Sequence, residues 1–202
     1  MDARVKAQSG IFSTKMMVST AMLIALTVVM MLTPVGRIQL PIISVTIAHI
    51  PILIAALVFG LYPGLAVALA FGLVSLFVAL IAPATLLDPF FVNPLISILP
   101  RLLIPVTTYF SYRGLSKLLE KMKGGAVVSA GISVAVGNLT NTFGVYCMLY
   151  LVYARRIMEE TGQSALTLII TAISTSTAIK CVAVVVLTVP LVMALKKAMR
   201  YI

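Results

Sequence analysis

The chain alternates long apolar runs with short polar or proline-rich breaks. The first run, Thr14–Leu32, is long enough to cross a bilayer, for which about 20 residues suffice. TPVGRIQLPIISV follows, and its stretch IQLPIISVTI is short, amphipathic and strand-like. A second run covers residues 46–61 and stops at the turn signal Tyr62-Pro63-Gly64. A third covers 65–81, and APATLLDPFFV then leads to a fourth over 93–112. Pro94, Pro100 and Pro105 should bend that fourth run, because neighbouring groups in a membrane bundle re-satisfy the carbonyls that proline frees. The basic loop RGLSKLLEKMKGG, a fifth run over 126–153, the polar link ARRIMEETGQS and a sixth run over 165–195 complete the pattern. It predicts an all-α membrane protein with six transmembrane helices in a single domain, residues 1–202, and it contains no repeat of useful period.

Composition sharpens this picture. The chain is 61% hydrophobic and only 10% charged, whereas a soluble domain carries about 25% charged residues. So few charges cannot cover a water-facing surface. Nor is there room for a soluble catalytic module. The N-terminus MDARVKAQSGIFSTK lacks an immediate apolar core and a cleavage site, so we expect Thr14–Leu32 to stay as a span, with no cleavable signal peptide before it. Cys147 and Cys181 both fall in apolar runs and read as small core residues with no disulfide between them.

The net charge of +10 raises nucleic acid as a partner, but the basic residues cluster at helix ends, where they orient a chain in the bilayer. Arg4, Lys6 and Lys15, then Arg113, Lys117, Lys121 and Lys123, then Lys196, Lys197 and Arg200 share one side if six spans alternate. The positive-inside rule puts that side, with both termini, in the cytoplasm.

Candidate chemistry lies inside the apolar runs. Arg101 in ISILPRLLIPVTTYF and Lys180 in STSTAIKCVAVVVLTVP are cations with no acid in the same run. Each costs about 2.5–3.5 kcal/mol or more to bury in lipid, and such residues face a bundle interior or a wet cavity. A bound anion is therefore a candidate countercharge. Snorkelling towards the outer face is the structural alternative for Arg101. For Lys180 it is pairing with backbone carbonyls that a proline has opened. In GNLTNTFGVY, Asn138 and Asn141 share one helical face, with Tyr146 further outward. They can serve a polar ligand or glue helices together. Ser174, Thr175, Ser176 and Thr177 sweep a full turn, so only some can face a cavity. His49, the only histidine, makes no metal site, since zinc needs three or four ligands. It reads as a helix-start hydrogen bond or a supporting ligand contact. Ala21 and Ala25 form a small-xxx-small pair that lets helices approach closely. The chain has no phosphate loop of the GxxxxGK[ST] type, no GxSxG, no HExxH and no paired intramembrane carboxylates.

Taken together, the basic N-terminus, the small-xxx-small first helix, TIAHIPILIAALVFGLYPGLAVALAFGLVSL, NPLISILPRLLIP and GNLTNTFGVY resemble the substrate-binding S components of energy-coupling factor (ECF) vitamin transporters. The similarity covers nearly the whole chain. IAHIP and LPR are most similar to the pantothenate S component, with the hydroxymethylpyrimidine and folate members as alternatives. The resemblance implies a six-helix fold with an occluded site near the outer face and the loop after the first helix as a lid, with Leu40, Ile42 and Ile43 excluding water. It implies partners: a membrane T subunit that docks on Ala21 and Ala25, and two cytoplasmic ATPases that use ATP and Mg²⁺, while this chain holds no cofactor. Arg101 would bind the vitamin carboxylate, Lys180 would add charge or a hydrogen bond, and Asn138, Asn141 and Tyr146 would serve its amide and hydroxyls. An intramembrane enzyme acting on an anionic lipid precursor and a purely structural subunit are the competing readings from other classes.

Overall fold

The computed structural model describes residues 14–34, 36–38, 45–83, 85, 87–162 and 164–200. The order of elements is α1 (Thr14–Leu32), β1 (Arg37–Ile38), β2 (Val45–Thr46), α2 (Ile50–Val58), α3 (Leu61–Ile81), a 3-10 turn (Asp88–Val92), α4 (Pro94–Ser97), α5 (Leu99–Leu118), α6 (Gly125–Thr161) and α7 (Ala165–Arg200). The all-helical membrane architecture is as expected. With α4 and α5 taken as one bent helix there are six helices, and five of them are long and apolar enough to cross a membrane.

The exception is α2. Its nine residues rise about 14 Å, well short of the roughly 30 Å hydrocarbon layer. The run 46–61 therefore does not form a full-length span. The break after it also lies earlier than the Tyr-Pro-Gly signal. Gly60 has φ 102°, a backbone conformation closed to side chains, whereas Tyr62-Pro63-Gly64 form the first turn of α3, where a proline is tolerated. α2 is apolar all round and buried all round: each residue from Ile50 to Leu57 is in the interior. It forms the axis of the bundle, packing on α3, α5 and α7, in a core with Val67, Phe71, Ile104, Val134 and Val184.

α5 and α6 run antiparallel. Gly144 faces Pro100, Gly137 receives Thr108 and Leu53, and Asn93 Nδ2 donates to Tyr153 Oη at 3.4 Å. A Cβ at Gly137 would collide with the Thr108 hydroxyl and with Leu53 Cδ2. Gly137 and Gly144 are therefore packing notches, whereas at Gly131 an added Cβ would meet only Val185 and Val189, at 3.9 and 4.0 Å. The polar link expected after residue 153 is largely helical, since α6 continues to Thr161. Cys147, expected in the core, is exposed, and Cys181 is half-buried.

The two ends of the bundle differ. Thr14 and Lys15 of α1, Val58 and Phe59 at the end of α2, and Met199 of α7 line one groove of about 780 Å³. Lys196 Nζ sits 3.8 Å from the Tyr112 ring near the end of α5. The described ends of α1 and α7 thus lie together. At the other end β1 pairs antiparallel with β2, Arg37 opposite Thr46. Gly36 folds this hairpin back onto the carbonyl of Met30, leaving no room for a side chain. The lid residues Leu40, Ile42 and Ile43 lie outside the described residues. A second apolar cluster, with Leu87, Phe90, Phe91, Ile96, Tyr146 and Leu149, closes this end.

Candidate functional site

The site begins with a proline. Pro100 has no N–H to give the carbonyl of Ile96, the acceptor four residues back. Arg101 takes its place: Nη1 donates to Ile96 O at 2.5 Å. Nη2 reaches Ser75 Oγ on α3 at 3.4 Å. The Phe91 and Phe71 rings lie with centroids 5.1 and 5.5 Å from the guanidinium carbon, within cation–π range. Phe91 is itself fixed, since its carbonyl accepts from the Ser97 hydroxyl. The Arg101 side chain is buried and its Nε–H has no partner. It does not snorkel to the outer face.

Across from it, α6 turns Asn138, Asn141 and Thr142 inward, all buried. Neither the oxygen nor the nitrogen of the Asn138 amide has a partner, and the Asn141 oxygen has none. His49 heads α2 and is wholly buried. Its ring makes no cap hydrogen bond, so the expected helix-start bond is absent. Both ring nitrogens lack a partner. The Asn138 side chain and the Thr46 backbone lie close to the ring but fall short of hydrogen-bond geometry. Thr142 Oγ1 donates to the Asn138 carbonyl at 3.1 Å and accepts from Lys180 Nζ of α7 at 3.5 Å. Lys180 is half-buried, and its partner is a hydroxyl, where the structural alternative called for an opened carbonyl. Thr177, on the same helix, has a buried hydroxyl without a partner. The side chains of Ser174, Thr175 and Ser176 lie outside the described residues.

Burying a polar group without a hydrogen bond costs about 1–3 kcal/mol. Native interiors rarely carry several such groups, and each needs a reason. Here they converge. His49 is within Coulombic reach of both Lys180 and Arg101, and the two cations repel each other. Among the described residues no carboxylate pairs with either cation. Asp88 is buried, but its Oδ2 accepts the Thr85 N–H at 2.9 Å. The result is a buried polar cluster with two cations and with spare amide, imidazole and hydroxyl groups. A flexible anion with hydroxyl or amide groups would satisfy both deficits.

Of the sequence candidates, Arg101, Asn138, Asn141, Lys180 and His49 fall in or around this cluster. Tyr146 is buried in the aromatic cluster with Phe91 and Ile96. Ala21 and Ala25 are exposed on α1, remote from the polar cluster. The sequence reading missed Ser75, Thr142, Phe71 and Phe91. Only the Arg101 contact had a usable signal: a proline immediately before an arginine marks a carbonyl that the arginine can reach. Among the described residues no three His, Cys, Asp or Glu side chains come together to hold a metal ion.

The family model for the ECF transporter substrate-specific component matches residues 15–192. No curated protein matches the chain.

Proposed function

We propose that this chain, which belongs to the family of ECF transporter substrate-specific components, captures pantothenate at high affinity for ATP-driven uptake. Members of this family are multi-pass proteins of prokaryotic cell membranes that bind a small molecule for transport, work with the other subunits of an ECF module, and are not enzymes. The intramembrane-enzyme reading falls with that assignment.

One observation carries the choice of cargo: among the described residues no carboxylate pairs with Arg101 or Lys180, and Lys180 is held through Thr142 beside the unpartnered amide of Asn138. Pantothenate supplies what these groups lack. Its carboxylate enters the positive field of the two cations, where a charge-assisted hydrogen bond is about twice as strong as a neutral one. Its amide and hydroxyls are matched by Asn138, Asn141 and His49, since an amide side chain both donates and accepts. The loop holding Leu40, Ile42 and Ile43 closes over the cargo. The exposed face of α1 with Ala21 and Ala25 meets the T subunit, and ATP and Mg²⁺ serve the two partner ATPases. Hydroxymethylpyrimidine and folate are the alternative cargoes.

The test is calorimetric titration of the purified protein with pantothenate, hydroxymethylpyrimidine and folate, alongside denaturing mass spectrometry for a retained vitamin. Pantothenate should bind most tightly. Tighter binding of either other vitamin replaces the cargo and leaves the family role intact.

A further inference from the structure

We propose that the two buried cations divide their work: Arg101 is a structural cation that plugs the carbonyl freed by Pro100, and Lys180 is the group that grips the carboxylate of the cargo. This rests on the anionic-cargo reading above and assigns its key contact.

The surroundings of the two groups differ in kind. Arg101 is committed to protein along two edges, to the Ile96 carbonyl and the Ser75 hydroxyl. Phe71 and Phe91 cover it in addition. Its remaining Nε–H edge is sealed from any probe the size of water. To meet a carboxylate directly, the arginine would have to give up its bond to the Ile96 carbonyl inside the bundle. Lys180 has the opposite character. It carries three N–H donors and, among the described residues, spends one, on a hydroxyl 3.5 Å away. It is half-buried where Arg101 is closed off. That one bond comes from Thr142, whose own proton is committed to the Asn138 carbonyl. The Thr142 oxygen therefore presents a lone pair to Lys180 and holds the ammonium beside the Asn138–Asn141 face. Thr142 is a positioning residue, and the recognition unit is Lys180 with Asn138 and His49. Arg101 contributes its field but no direct contact.

The assignment separates two properties that a shared role would keep together. In the full chain purified without ligand, Arg101→Met exposes a buried carbonyl, and melting should fall by roughly 5 °C or more. Lys180→Met removes a half-buried, poorly paired ammonium at nearly constant volume and should melt at or above wild type. The second arm compares pantothenate with its neutral alcohol analogue, in which CH₂OH replaces the carboxylate. Wild type should prefer the acid. Lys180→Met should weaken the acid by roughly a hundredfold and bring the ratio of the two affinities close to one. Arg101→Lys, which keeps a cation able to cap Ile96 O, should preserve the ratio. Retention of the preference in Lys180→Met, or its loss in Arg101→Lys, overturns the assignment. If wild type binds neither compound, the pantothenate reading falls, and the ligand-free melting still decides: Lys180→Met melting as low as Arg101→Met would falsify the division of work.

Discussion

At the scale of single residues, the unpartnered polar groups around Asn138 are costly to the ligand-free fold. Asn138 shows this most clearly. Its amide is fully buried with both ends unpartnered, so the ligand-free fold carries a penalty that a leucine of similar size would remove. Asn138→Leu should stabilise the ligand-free protein by about 1–3 kcal/mol and abolish the rise in melting temperature on adding vitamin. A lower ligand-free melting temperature would show that the amide is bonded at rest. Ionic and amide residues were legible in the sequence because they stand out against apolar neighbours. Ser75 and Thr142 were not, because hydroxyls are common in membrane helices and satisfy themselves locally, as Thr107 does on the Leu103 carbonyl at 3.1 Å. Phe71 and Phe91 read as ordinary core until the guanidinium beside them is known.

Among the elements, α2 departs furthest from the sequence reading. Hydropathy sees a long apolar run but cannot see that Gly60 ends the helix at φ 102°. The Tyr-Pro-Gly signal was read as the stop, although a helix start accommodates the same residues. The end of α1 at Leu32 was legible because a polar, proline-containing stretch follows it. Two glycines make the point testable. Gly60→Ala forces a side chain into a region open almost only to glycine and should cost about 1–3 kcal/mol. Gly114→Ala, within α5 and facing open space, should instead stabilise by about 0.4–1 kcal/mol. Thermal melts of the two variants in one detergent check the contrast, and equal shifts would remove the claim that Gly60 sets the end of α2.

For the molecule as a whole, the starts and ends of the helices divide by charge. The first described turn of α1 and the last of α7 share one groove, at the end where Lys15, Lys196 and Lys197 gather. The positive-inside rule predicts that this end is cytoplasmic. A fluorescent protein fused at the C-terminus should fluoresce, and alkaline phosphatase fused there should be inactive. The reverse pattern would invert the topology. Which face carries the polar cluster was legible only as far as the parity of the spans allowed, because the short α2 counts as a crossing in path but not in length. α6 has a further consequence. Its 37 residues make a rod of about 55 Å, and hiding it within a 30 Å oil layer would need a lean of roughly 57°, beyond the range of about 0–40° seen for membrane helices. The rod must therefore stand clear of the lipid on the side away from the shared groove, with Arg155, Arg156 and Glu159 exposed at its tip. Phe90 is wedged against this mast by the Tyr153 ring, 5.0 Å away, and by Arg156. Any roll of the body that laid the tip in the oil would have to drown those charges, at about 2.5–3.5 kcal/mol or more for each arginine.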